Sequence, residues 1–266
     1  MERAIPHLPA DDLAVAKEFY VTKLGFQVAF EASDDGRSGI LGLTRGGIHI
    51  TVDSPMEGHG RNACVSLEVD NADVYFAEWS AKVDVLRPPR DESWGARTFD
   101  LLDPFGNTLF VMGPVGQESG RAAFLPAAMA ITRVAPILKV TNMHSAIEFY
   151  GSTLGFVVDF SYSAGSDGPR YVGVSLDGHQ IHLSTFAGDG LTGTSAYFYV
   201  GDVDALFRRF LAAGLKTRRH PESPVDEGPV DQTWGMREVY VRDPDGNTLR
   251  FGTPIPQPHD DGVRPS

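Results

Sequence analysis

The sequence predicts an α+β chain of two tandem domains, each a pair of β-α-β-β-β units. Three observations carry this. Trp94–Pro114, WGARTFDLLDPFGNTLFVMGP, recurs 140 residues later as Trp234–Pro254, WGMREVYVRDPDGNTLRFGTP, and self-similarity at so long a period marks a duplicated unit. The 28 residues from Arg3 to Phe30 match Arg133–Phe160 at a constant offset of 130. Between these anchors, runs of period two alternate with runs of helical period in the same order in each half.

Ile5–Leu8 reads as a short first strand. Asp11–Asp12 caps a helix whose apolar residues Leu13, Ala16, Phe19, Tyr20 and Leu24 recur at helical spacing, and Gly25 ends it. Phe26–Phe30 starts the next strand, Asp34–Gly39 is a turn, and Ile40–Leu43 with Ile48–Val52 forms a hairpin around Arg45–Gly47. That completes one unit. Asn62–Val69 opens the second, followed by a helix from Ala72 to about Lys82 and a strand at Val83–Leu86. Arg87–Ser93 and Arg219–Thr233, both with proline, read as loops. The Trp94 stretch then gives two strands about a turn, Asp103-Pro104-Phe105-Gly106-Asn107, where glycine and asparagine tolerate positive φ. The second half repeats the plan, with helices near Met143–Leu154 and Val203–Ala213. Ile48–His49 pairs with Ile181–His182 at an offset of 133, which places insertions in the turns. The expected domains are 1–115 and 131–255, joined by a linker at 116–130 with a helical turn near Ala122–Ala128 and followed by a tail at 256–266.

With 42% apolar and 22% charged residues in 266, the chain can bury two sizeable cores. A net charge of −12 argues against nucleic acid and anionic membranes and favours a neutral or cationic partner. The opening MERAIPHLPADD has no basic segment followed by an apolar core, and no apolar run reaches membrane-spanning length, so a soluble cytoplasmic protein is expected. Cys64 is the only cysteine, which excludes a disulfide framework and a thiolate zinc cluster.

Paired β-α-β-β-β units, FY-x3-LGF after the first helix and DP-x-GN before the last strand together resemble the vicinal-oxygen-chelate superfamily, home of glyoxalase I, extradiol dioxygenases and bleomycin-resistance proteins. The resemblance covers nearly everything but linker and tail. It implies glyoxalase/bleomycin-resistance-type domains, each a curved mixed sheet forming a cup with helices on the convex face. It also implies a divalent metal in many members, and pairing of the two halves within one chain as dimers pair elsewhere, a homodimer remaining open. One fold carries many chemistries.

Strand alternation then says which side chains face a cup if helices cover the other side. Ile48, Ile50, Val52, Leu109, Val111, Leu249 and Phe251 would meet helices; His49, Thr51, Phe110, Met112, His182, Ser184 and Arg250 would point inward. The positions that hold metal in glyoxalase-like members fall at Ile5, His49, Cys64 and Phe110, and at Ala135, His182, Ser195 and Arg250. Only the histidines are strong ligands, and about three imidazole or carboxylate groups are needed, so the ancestral metal site is read as lost.

If the halves pair, a first cup with His7, His49 and Thr51 would be closed by Tyr197, Tyr199, Glu238, Tyr240 and Arg250. A second would join Ile137, His182 and Ser184 to Cys64, Ser66, Glu68, Thr98, Asp100, Phe110 and Met112. Trp94 and Trp234, before the seventh strands, offer stacking surfaces for a planar ligand or anchor their loops. Two readings remain. One is a binding protein with no cofactor, holding an aromatic or cationic small molecule in an acidic, aromatic cup. The other is an enzyme, either a metal-dependent lyase or isomerase using His7, His49 and Glu238, or a metal-free one holding an anion on Arg250. A His182–Cys64 base–nucleophile pair is a weaker idea, since a lone cysteine opening a strand is usually a small buried filler.

Overall fold

The computed structural model describes residues 3–46, 48–54, 61–116, 131–163, 168–217 and 223–256; the helical turn expected near Ala122–Ala128 lies outside them. Sixteen strands form two eight-stranded mixed sheets. In the first half, β1 (Arg3–Pro9), β2 (Gln27–Ala32), β3 (Ile40–Arg45) and β4 (Ile48–Asp53) make one unit, and β5 (Cys64–Val69), β6 (Val85–Asp91), β7 (Ala96–Leu102) and β8 (Thr108–Pro114) the next. The second half gives β9 (Ile131–Lys139), β10 (Val157–Tyr162), β11 (Tyr171–Leu176) and β12 (His179–Ser184), then β13 (Ser195–Tyr199), β14 (Val230–Asp231), β15 (Met236–Arg242) and β16 (Thr248–Pro254).

Neither sheet belongs to one half. The order β14-β15-β16-β13-β1-β4-β3-β2 joins the first unit of the first half to the second unit of the second half, and β10-β11-β12-β9-β5-β8-β7-β6 joins the other two. The seams are antiparallel, β1 on β13 with Ile5 opposite Tyr197, and β9 on β5 with Ala135 opposite Ser66.

The apolar cores follow the halves instead. One cluster runs from Leu8 to Val111 and the other from Leu138 to Phe251. Each packs helices against the outer faces of strands from both sheets, with Ile48, Ile50, Val52, Leu109 and Val111 in the first and Leu249 and Phe251 in the second, as alternation required.

The helices are α1 (Leu13–Lys17), α2 (Ala72–Trp79), α3 (Met143–Glu148) and α4 (Val203–Ala212). Each starts on an Asp or Asn whose side chain accepts the exposed first-turn N–H groups: Asp12, Asn71, Asn142 and Asp202. α1 and α3 run on into π-helical turns, Glu18–Lys23 and Phe149–Thr153, which end at Gly25 and Gly155, with φ of 74° and 78°.

These turns explain two motifs at once. The Tyr20 hydroxyl donates to Asp103 Oδ2 at 2.7 Å, and Tyr150 to Asp243 Oδ2 at 3.0 Å. Asp103 also accepts the N–H groups of Phe105 and Asn107 and the Asn107 amide, while Asn107 donates to the Pro9 carbonyl. FY and DP-x-GN therefore form one buried tie that clamps the helix of one unit to the last turn of the other.

Three expectations need correcting. The loop expected at Arg219–Thr233 contains a 3-10 turn at Pro224–Asp226 and a short edge strand, β14 at Val230–Asp231, paired with β15. Arg87–Asp91, read as loop, is strand: β6 pairs with β7 through shifted registers that pass over Pro88 and Pro89. An edge strand tolerates proline because its outward N–H groups have no partner to lose. The offset of 133 between hairpins is also wrong. Arg45 stands opposite Ile48 and Leu176 opposite His179, and His7 is level with Thr51 as Ile137 is with His182. The two hairpins match at 131, so Thr51 is the counterpart of His182 and His49 that of Gln180. A slip of two keeps every side chain on its face, which is why the Ile-His dipeptide misled.

Candidate functional site

The inner face of the first sheet gathers most of the residues proposed from sequence. Register puts Ile5, Tyr197, Arg250 and Tyr240 in one row across β1, β13, β16 and β15. Arg250 is 4% exposed; its guanidinium reaches Asp53 Oδ2 at 3.5 Å and lies 5.1 Å over the Tyr240 ring. His7 Nδ1 stands 3.3 Å from the same carboxylate oxygen. Burial dominates His7 and lowers its pKa; Asp53 works against that, and Arg250 reinforces it. Glu238, 1% exposed, accepts from the Tyr197 hydroxyl at 2.6 Å, the Trp234 indole N–H at 3.1 Å and the Tyr240 hydroxyl at 3.1 Å.

Tyr197 reaches Glu238 because the position it crosses is glycine. A Cβ on Gly252 would stand 1.9 Å from the Tyr197 hydroxyl. Tyr197 is stacked on His7, centroids 5.7 Å apart, and tilted against Tyr199 at 4.8 Å. Thr51 is buried in the row of His7, and His49 is half-buried one row along.

The second sheet gathers the other set. His182 is 3% exposed, with Nδ1 2.8 Å from the Tyr171 hydroxyl and Nε2 3.0 Å from Gln180 Oε1. Since Gln180 Oε1 can only accept, Nε2 carries the proton and Tyr171 donates to Nδ1. Burial, with help from the Arg133 charge, lowers His182 to about 4, against an opposing pull from Asp159. Asp100 pairs with Arg87 at 3.0 Å, and Ser66 donates to Met112 Sδ at 3.0 Å. Phe110 is half-buried between Ser66 and Asp100 on the neighbouring strands.

His182 binds no proton in the folded chain between pH 6.5 and about 4, whereas the unfolded chain does. Stability is therefore whole above pH 6.5 and falls as pH drops toward 4, by about 3 kcal/mol in the limit. Urea midpoints at pH 7 and pH 4.5 should differ by less in His182→Gln than in the parent; equal differences would refute the assignment.

The proposed ligand set His7, His49 and Glu238 does not converge. Glu238 is taken up by Tyr197, Trp234 and Tyr240, and His7 stands against Asp53. Among the described residues no group of three His, Cys, Asp or Glu could hold a metal. The register correction also means that at most one cup carries a histidine at the hairpin position. Cys64 and His182 are separated by β9 with Ile137 between them, His182 is engaged with Tyr171, and burial drives the Cys64 thiol pKa well up, so they form no nucleophilic pair.

Trp94 and Trp234 are 45% and 57% exposed. Three residues that sequence reasoning passed over belong to these faces. Asp53 continues the His49, Thr51 alternation by one step. Phe30 and Phe160 lie across Gly42 and Gly173, where a Cβ would be 2.2 Å from the ring in each case. The recurring Phe and a glycine within each third strand were the signal.

No curated protein matches the chain. Two family descriptions do: Glyoxalase superfamily protein over residues 122–256, just over half the chain, and Glyoxalase/Bleomycin resistance protein/Dioxygenase superfamily over residues 4–111. Glyoxalase I from Zea mays is 13% identical, with a TM-score of 0.65 over 95% of this chain and 92% of that one. A putative dioxygenase from Bacillus subtilis is 16% identical, with a TM-score of 0.61 over 96% and 84%. At these identities the likeness is one of fold. The duplicated units, the shared sheets and the family matches together make this chain a member of the glyoxalase/bleomycin resistance protein/dioxygenase superfamily.

Proposed function

We propose that the chain is a small-molecule binding protein that works without a metal. The observation that carries this is how the inner faces are wired. Their strongest polar groups are bonded to one another: Glu238 to three aromatic donors, Arg250 and His7 to Asp53, and His182 to Tyr171 and Gln180. Such an array is rigid and aromatic, suited to gripping a guest by shape and stacking, and its donor set does not fit a catalytic divalent ion. Trp94 and Trp234, exposed ahead of β7 and β15, add stacking surface. The acidic balance of −12 favours a neutral or cationic guest.

Calorimetric titration with three planar probes, cationic proflavine, neutral 2-naphthol and anionic anilinonaphthalene sulfonate, tests this on chelator-stripped and Zn²⁺-loaded protein. At least one probe should bind stoichiometrically with the same affinity in both preparations. A guest that binds only with metal, or none of the three binding, would refute the reading. So would a stoichiometric metal that survives dialysis and is lost in His49→Ala.

A further inference from the structure

The two halves have parted at one place outside the cups. In the first half a cleft of about 750 Å³ opens where β6 begins and β7 ends, between the π-helical turn after α1 and the segment after α2. That volume falls in the range of small-molecule sites, about 300–1,000 Å³. Phe19, 5% exposed, belongs to the core beneath, and Val83 and Val85 pack against that core. Leu86 and Leu102 complete the apolar lining with 62% and 41% of their surface exposed. Lys23 and Lys82 line the cleft as well. Lys23 is half-buried and forms no ion pair with any described residue, and Lys82 stands 3.5 Å from Glu78. Two acids share the space, Asp84 and Asp103, of which Asp103 is already held by Tyr20 and Asn107.

The matching hollow of the second half is closed down to about 120 Å³, with Phe207, Lys216, Asp226 and Arg242 among its walls. The offset of 140 between Trp94 and Trp234 carries Leu86 to Asp226 and Leu102 to Arg242, and there an ion pair at 3.6 Å takes the place of two leucines. The offset of 130 carries Lys23 to Thr153. One copy thus meets solvent here with a pair of charges, and the other with two exposed leucines beside a lysine. Apolar surface rimmed by charge marks a binding site, and the second copy shows that the fold itself does not require it. An apolar tail would cover the leucines, and an anionic head would meet the lysines. The overall charge of −12 does not forbid an anion, since exposed charges more than about 10 Å away are largely screened at ordinary salt.

We propose that this cleft is a binding site separate from both cups, and that it takes a single-tailed aliphatic carboxylate, its chain along Leu86 and Leu102 and its head toward Lys23 and Lys82. The site does not depend on either cup holding a guest.

Calorimetric titration of the full chain with decanoate and with decylammonium, both below their micellar concentrations, tests this. The parent should bind one decanoate per chain, and decylammonium at least ten times more weakly. Leu86→Asp combined with Leu102→Arg transplants the ion pair of the second half and should weaken decanoate at least tenfold. Lys23→Thr, again the residue of the second half, should weaken it at least fivefold. Thermal unfolding within a few degrees of the parent certifies each variant as folded, and Lys23→Thr decides the matter if the double variant does not fold. Decanoate bound equally by parent and variants, a preference for decylammonium, or no binding of decanoate would each overturn the inference. So would decanoate that displaces a planar probe, because it would then lie in a cup. The planar probes read the cups independently: if decanoate fails while one of them binds, the cleft falls and the cup reading stands, and the opposite outcome reverses that.

Discussion

Replacing Gly252 by alanine is expected to lower stability by about 3 kcal/mol, through overpacking and a broken buried bond. The added Cβ would sit 1.9 Å from the Tyr197 hydroxyl and 2.8 Å from its Cζ. Tyr197 cannot slide away, being flanked by His7 and Tyr199. Moving it would strip Glu238 of its shortest hydrogen bond in a site almost closed to water. Urea denaturation of Gly252→Ala checks this; a loss below about 0.5 kcal/mol would mean that the Tyr197–Glu238 contact is dispensable. Gly252→Ala combined with Tyr197→Leu should be less damaging than the sum of the two singles, because the clash and the bond share one residue.

Asp103→Ala should do comparable harm, about 3 to 4 kcal/mol, since one buried carboxylate accepts from Tyr20, from the Asn107 amide and from two backbone N–H groups. Tyr20→Phe removes one of these donors and should lose about 1 kcal/mol. In a double-mutant cycle the Tyr20 effect should nearly vanish once Asp103 is gone. Additive losses would show that the helix and the turn are stabilised independently. The same cycle on Tyr150 and Asp243 should give the same pattern, because the second tie copies the first.

Most of the architecture was legible because it was written locally and twice. Helix starts were visible in Asp12, and inward and outward faces in the alternation of Ile48 to Val52 and of Leu109 to Val111. Some features were hidden for physical reasons. Period two cannot report a slip of two, so His49 and His182 looked equivalent. Pro88–Pro89 reads against strand by propensity, and only an edge position reconciles it. The partners of Glu238 lie on β13, on β15 and in the turn before it, and no local pattern pairs a tyrosine with a carboxylate 41 positions away. That Phe30 and Phe160 fold back over glycines depends on the third strand standing beside the second, which is a tertiary fact.

The mixed ancestry of the two sheets has a consequence for how such a molecule can change. No strand is common to both cups, and each cup draws one unit from either copy of the duplication. Substitutions on one concave face leave the other untouched, while both sheets hold the two copies in register. A fragment carrying a single copy would complete neither sheet. It would show unsatisfied seams at β1 and β5 and should associate with a second fragment before it did anything else.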